Sequence, residues 1–530
     1  MASSNNMDRP NIIFTLTDEE RYPPPHELDD EKLMTLRHEL LKGHNFLRKH
    51  SVEFHNHNTA ATACTPSRSV LFEGKPIHVT GRNKTSGFDK QPGDSKLTWL
   101  PKSPDMLTIG HYMRKLGYDT HYVGKWHLSP EETTHDLEEF GFSSWFGPEP
   151  HGPDFEKSGL VNDPLYIQKA IEIIEARSKD ETKKNIPFFF VICLVNPHDF
   201  VLFPRHALRT MRLNKLNYKF NDPPKVTEEN LSTVAKIFSK KYETLMLPVA
   251  LHRYIHSRKH EMKNFYLDMI VEADKHINDF MEFFSKTKYY DNTFVLFSSD
   301  HGEMGFSKDL LQKFYVPYRE AIHVPFIIHH KNIPMTVNYG YVTSSLDIFP
   351  TIISLACKAN DINNIFNSNY GRSLRHIVMN ALNLSSSIVH NNSASIEYSS
   401  YNKEDIEYIA LFQTEDDLFE GNSSHPIYYL KYPILTGILI KSLGHNKPIT
   451  CPKYIKTVIS YEKGELYKLS KYYFKNNEEW EMFNMTKDPS ETINIINDSN
   501  YREIVDIMKI KMIFKFSPEV IGNTSIKSKL

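Results

Sequence analysis

Short apolar runs bounded by polar or turn-forming residues recur along this chain, at Asn11 to Leu16, Tyr118 to Val123, Phe188 to Val195, Thr293 to Phe297 and Val324 to Ile328. Runs of this length predict buried strands. Between them lie stretches with helical spacing and good helix formers: Glu31 to His50, Asp105 to Leu116, Pro164 to Lys179 and Met262 to Lys286. Alternation of strand and helix predicts a largely parallel sheet flanked by helices. From about Leu382 to Glu397 the chain turns rich in Ser and Asn, which predicts a linker. After it, the aromatic pieces Ile427 to Tyr432 and Leu435 to Ile440 predict a smaller α+β domain. The expected division is a catalytic domain over residues 8–385 and a C-terminal domain over 386–530.

Composition narrows this picture. At 530 residues the chain exceeds what one core usually organises, in keeping with two domains. Sixty-three basic against 65 acidic residues leave a formal charge of −2, so neither nucleic acid nor an anionic membrane is expected as partner. Any anion binding must be local. The four cysteines, Cys64, Cys193, Cys357 and Cys451, are too few and scattered for a disulfide scaffold, and none forms a Cys-x-x-Cys pair. The first residues carry no basic segment followed by an apolar one, and Pro187 to Val195 is too short to cross a bilayer, so the expected location is the cytoplasm. Asn230, Asn383 and Asn422 begin glycosylation triplets, which an Asn-rich chain also generates by chance.

The candidate chemistry sits at the strand ends. Asp18 follows the first predicted strand, Lys125 and His127 the second, His198 the third, and Asp300 with His301 the fourth. In open α/β sheets ligands bind outside the carboxyl ends of the strands, so these positions are expected to converge. Asp18, Asp300 and His301 together read as one divalent-cation site. Carboxylate oxygens with one imidazole suit a hard cation, and we expect calcium, with magnesium and manganese as alternatives. Cys64 lies in Ala61-Thr62-Ala63-Cys64-Thr65-Pro66-Ser67-Arg68-Ser69, where Pro66 opens a helix whose free N–H groups attract an anion and Arg68 adds a fixed charge one turn on.

Cys64-Thr65-Pro66-Ser67-Arg68 resembles the C-x-P-S-R signature of the formylglycine-dependent sulfatases of the alkaline-phosphatase superfamily. The resemblance continues in order through the chain. Arg9-Pro10-Asn11-Ile12-Ile13 leading to Asp18 resembles the family's opening, Gly124-Lys125-Trp126-His127 its G-K-W-H motif, and Ser299-Asp300-His301-Gly302 its second metal motif. Asn196-Pro197-His198, the segment from Lys313 to Glu320 leading to Val324-Pro325, and Met482 to Thr492 extend it to nearly the whole sequence. One departure is Glu19, where many sulfatases carry a second Asp or a Gln; it is either a ligand or a neighbour of the site.

The resemblance implies an alkaline-phosphatase-like sheet and a sulfuric ester hydrolase. Cys64 would be oxidised to formylglycine by a formylglycine-generating enzyme. One hydroxyl of the hydrated aldehyde, activated by the metal, would attack the sulfur of a sulfate ester, and the other would allow sulfate to be eliminated. The implied metal ligands are Asp18, Cys64, Asp300 and His301. Arg68 would hold the nucleophile in its charged setting, and Lys125, His198 and Lys313 would bind sulfate oxygens. His198 is the candidate for protonating the leaving alcohol and His127 for deprotonating the diol, roles that could be exchanged. Two competing readings are a phosphonate monoester or phosphodiester hydrolase, and a non-catalytic anion binder if Cys64 stays a thiol. The alcohol portion would be held by the segments Glu131 to Asp163 and Phe200 to Lys225, where no motif is legible, so aryl, sugar and choline sulfates are all candidate substrates.

Overall fold

The computed structural model describes residues 9–82, 99–101, 106–130, 136–147, 155–203, 216–237, 257–313, 316–357, 370–383, 395–397, 410–414, 454–474 and 477–516. Eight strands form the main sheet: β1 (Asn11–Asp18), β2 (Ser51–Asn58), β3 (Asp119–Gly124), β4 (Phe188–Pro197), β5 (Thr293–Ser299), β6 (Phe326–His329), β7 (Thr336–Ser344) and β8 (Ser395–Glu397). Their order is β3-β4-β1-β5-β6-β2-β7-β8. All neighbours run parallel except β6, which is antiparallel to both β5 and β2. The α/β reading is therefore borne out.

The five predicted strands all occur, and β1, β4 and β5 are buried along their whole length, as continuous apolar runs in a covered sheet require. Three strands of the main sheet went unpredicted, β2, β7 and β8, the last of which lies in the stretch read as a linker. β2 (Ser-Val-Glu-Phe-His-Asn-His-Asn) and β7 carry polar residues inside a buried sheet, so hydrophobicity alone does not reveal them. The predicted helix from Glu31 to His50 is two helices, Glu31–Leu40 and Lys42–Arg48, because Leu41 leaves helical geometry at ψ 70°. The other three helices are found as Ile109–Lys115, Gly159–Lys179 and Lys259–Phe284. The last two pack with Phe188, Phe190, Ile192, Phe280 and Phe284 against one face of the sheet, whereas Phe72, Tyr122, Trp126 and Phe142 build an aromatic core on the other.

A second, four-stranded antiparallel sheet has the order β12-β11-β10-β9, from β9 (Ala410–Thr414), β10 (Tyr454–Glu462), β11 (Glu465–Tyr473) and β12 (Glu478–Asn484). The helix Arg502–Phe516 packs on it through Val505, Met508 and Met512. The predicted pieces Ile427 to Tyr432 and Leu435 to Ile440, and Cys451, lie outside the described residues. Buried polar contacts fasten this sheet to the main body. Glu481 accepts from the Tyr318 hydroxyl at 2.9 Å and from Ser232 N at 2.8 Å, while Lys468 pairs with Glu491 and donates to the carbonyl of Pro317. Among the described residues no helix is long and apolar enough to cross a membrane.

Behind β1, the buried His44 bridges Glu20 at 2.8 Å and Asp274 at 2.5 Å. Burial disfavours its charge, but Glu20 and then Asp274 outweigh burial and raise the imidazole to about 9. A raised value means that the stabilisation is complete below about pH 6.5 and lost as pH rises through about 9. We expect His44→Gln to cost about 3 kcal/mol at acidic pH, with the difference from the unsubstituted protein shrinking as pH approaches 9. Thermal unfolding across that range measures it, and a pH-independent difference would refute the charged bridge.

Candidate active site

The main sheet places β3, β4, β1 and β5 side by side. The four reactive strand ends noted in the sequence are thus consecutive neighbours along one edge of the fold. Gly124 makes the β3 end possible: at φ +102° it lies so close to β4 that a Cβ would fall 1.8 Å from the Cys193 carbonyl oxygen. That approach delivers Lys125 and His127 to the site, while Trp126 turns into the aromatic core.

Cys64 begins the helix Cys64–Glu73, all ten residues of which are buried. Its Sγ lies 3.2 Å from His301 Nε2 and 3.6 Å from Asp18 Oδ1. His301 Nε2 is in turn 3.6 Å from a carboxylate oxygen of both Asp18 and Asp300. One atom from each of Asp18, Cys64, Asp300 and His301 falls within a 4.8 Å cluster. Two carboxylates and an imidazole converging in a buried site fit a hard divalent cation.

The rest of the signature secures this cluster. The Thr65 hydroxyl donates to the His127 carbonyl at 3.2 Å, and the Ser67 hydroxyl donates to the carbonyl of Asp300. Arg68, with no exposed surface, donates through Nε to Asp300 at 2.9 Å and through Nη2 to Asp18 at 3.2 Å. Its Nη1 reaches the Lys125 carbonyl at 2.9 Å and Cys193 Sγ at 3.0 Å. The contact with Cys193, mid-strand and apolar in context, had no sequence signal.

Charge is balanced tightly. Burial opposes ionisation of Asp18, but Lys125, which is in direct contact with it, and then His198 and Arg68 hold its carboxyl well below the usual range. Burial raises the Cys64 thiol to about 12, with Asp18 adding to the effect. Burial, reinforced by Lys125, keeps His198 well below the ordinary imidazole value, so the free site holds it neutral. Glu19 is pushed up to about 8 by burial, against the pull of Lys313 at 3.0 Å. His198 Nε2 stands 3.7 Å from Glu19, and its side chain is 27% exposed. Asp18, Glu19 and His198 form a second cluster able to hold an ion. Lys125 and Lys313 already stand against its carboxyl groups.

Every site residue expected from the sequence lies at this end of the sheet; the His127 carbonyl accepts from the Thr65 hydroxyl, and its ring stands 6.2 Å from that of Trp99. Comparison with known proteins decides the family. The model of the sulfatase family matches residues 10–358. The chain belongs to the sulfatase family. Residues 456–516 also match the C-terminal model of N-sulphoglucosamine sulphohydrolase, so the sulfatase likeness reaches the second sheet. An ulvan-active sulfatase of Formosa agariphila is 26% identical over 66% of this chain and 62% of its own length. Arylsulfatase K of Danio rerio is 24% identical over 59% of each. The match thus spans about three-fifths of these curated sulfatases. A structure in complex with its substrate D-glucosamine-2-N,6-O-disulfate has a TM-score of 0.62 at 18% identity, covering 98% of this chain and 100% of the other. A phosphonate monoester hydrolase from Silicibacter pomeroyi has 0.61 at 16%, covering 95% and 94%. At such identity these likenesses establish the fold.

Proposed function

We propose that this protein hydrolyses sulfate esters to inorganic sulfate and an alcohol, through a formylglycine made from Cys64. The observation that carries this reading is Cys64 at a buried helix start, facing Asp18 and His301 and under the charge of Lys125 and Lys313. Asp18, Asp300, His301 and the modified Cys64 would hold one cation, which we assign as calcium. Bound there, it supplies Lewis-acid polarisation.

In the hydrated aldehyde one hydroxyl would attack sulfur as the S–O bond to the alcohol breaks, and proton loss from the second would break the C–O bond to sulfate and restore the aldehyde. Arg68 keeps Asp18 and Asp300 paired and oriented. Lys125 and Lys313 present their ammonium groups to the sulfate oxygens, and His198, the exposed member, meets the oxygen of the leaving alcohol. A bound anion between the lysines and His198 raises the imidazole from its depressed value, which arms it to donate a proton. His127 takes the proton released when sulfate leaves. Residues 64 to 68 are buried in the folded chain, so the formylglycine-generating enzyme must act before this helix packs.

A sulfated sugar is the substrate class we favour, on the strength of the ulvan-active relative and the structure solved with a glucosamine disulfate. The fold shared with phosphonate monoester hydrolases supports a second reading. Rates on paired aryl sulfate and aryl phosphonate substrates separate the two: faster sulfate cleavage is expected, and the reverse would sink the sulfatase proposal. His301→Ala is expected to weaken calcium binding by about 100-fold or more, since loss of even an outer-shell partner costs 10–100-fold. Calorimetric titration reads this, and unchanged affinity would remove His301 from the ligand set.

A further inference from the structure

A second charged cavity lies apart from the metal cluster, between the turn after β1 and the helix Lys259–Phe284. It measures about 20 Å³, enough for one water-sized occupant and too small for a tetrahedral oxyanion. Arg21, Arg37 and Lys263 line it with Glu27 and Glu303, three cations against two carboxylates. The surrounding wall includes Phe200, Phe306 and Leu311, so an uncompensated charge there is costly.

The cations are unequally satisfied. Arg21 is bound to Glu27 and donates through Nη1 to the Glu303 carbonyl at 2.9 Å, and Lys263 donates to the Asn221 carbonyl at 3.2 Å. Arg21 Nε is buried, and no hydrogen-bond partner is found for it among the described residues. Arg37 is 8% exposed, and among the described residues no hydrogen bond or ion pair reaches its guanidinium. The chain also makes room here: Gly305, at φ +52°, could carry a Cβ only 2.0 Å from Arg21 Nη1.

We propose that this cavity binds a monatomic anion, chloride in ordinary media, through the guanidiniums of Arg21 and Arg37. The ion gives the buried Arg21 Nε a hydrogen-bond acceptor and places a negative charge beside Arg37, which a water molecule could not. It also steadies the turn after Asp18, because Arg21 N donates to the Tyr266 hydroxyl at 3.0 Å and that hydroxyl donates to the Glu19 carbonyl at 2.7 Å.

The test is thermal unfolding of the full chain in sodium gluconate, with chloride exchanged in at constant ionic strength. Gluconate is too large to enter, so a saturable rise in Tm with chloride, reproduced by bromide, is expected. In Arg37→Met the saturable rise should vanish or its midpoint move tenfold or more higher. A Tm indifferent to chloride, or an undiminished rise in Arg37→Met, overturns the proposal. Should that variant fail to fold, anomalous diffraction from bromide-soaked crystals of the unsubstituted protein decides, with a peak beside Arg37 expected and none refuting. Neither readout depends on sulfatase activity, so this inference stands or falls apart from the catalytic proposal.

Discussion

Replacing Cys64 by alanine is expected to lower kcat on an aryl sulfate by about 10⁴-fold or more, since removal of a nucleophile costs on that order or above. The fold should survive. Cys64 opens its helix with 5% of its surface exposed, and alanine keeps helical propensity while removing one sulfur atom. Full turnover in the variant would show that the nucleophile lies elsewhere. Mass spectrometry of the peptide containing Cys64, from protein made in its own host, supplies the complementary result. An aldehyde is expected there, and an unmodified thiol in active protein would rule out formylglycine chemistry.

Arg68→Met should be the most damaging substitution for stability. The guanidinium is fully buried and bonded to both Asp18 and Asp300, and its removal leaves two carboxylates with diminished compensation in a low-dielectric site. Breaking such a buried pair costs about 3–5 kcal/mol. Urea unfolding in the presence of a chelator isolates this effect, because a bound cation would otherwise offset part of it. A loss below about 1 kcal/mol, the scale of a surface pair, would mean that water or Lys125 replaces the guanidinium.

Much of this site is legible from sequence for a simple reason. A buried parallel strand is a compact apolar run, and the residue that follows it points out at the catalytic edge, so Asp18, Lys125, His198 and Asp300 announce themselves locally. The signature around Cys64 does the same, and the structure gives Thr65, Ser67 and Arg68 each a polar partner across the site. What stays hidden depends on long-range pairing. His44 meets Glu20 and Asp274 across separations of 24 and 230 residues, and no local pattern marks that triad. β2 was missed because histidine and asparagine occupy positions that hydrophobic alternation would fill with valine or isoleucine. The strand order, which brings four separate ends into one row, is a property of the assembled sheet alone.

The polar clamp formed by Glu481, Lys468 and Glu491 bears on how this protein could be engineered. Tyr318, Ser232 N, the Pro317 carbonyl and Arg319 N, which donates to Glu491 at 3.0 Å, all belong to the larger body, and Lys313 precedes three of them by only a few residues. A chain cut before the second sheet would strip those groups of their partners just behind Lys313, the lysine proposed to bind sulfate. The smaller sheet is therefore a poor candidate for deletion or for exchange with an unrelated module, and libraries aimed at new substrates should leave β11 and β12 intact while varying the exposed rim.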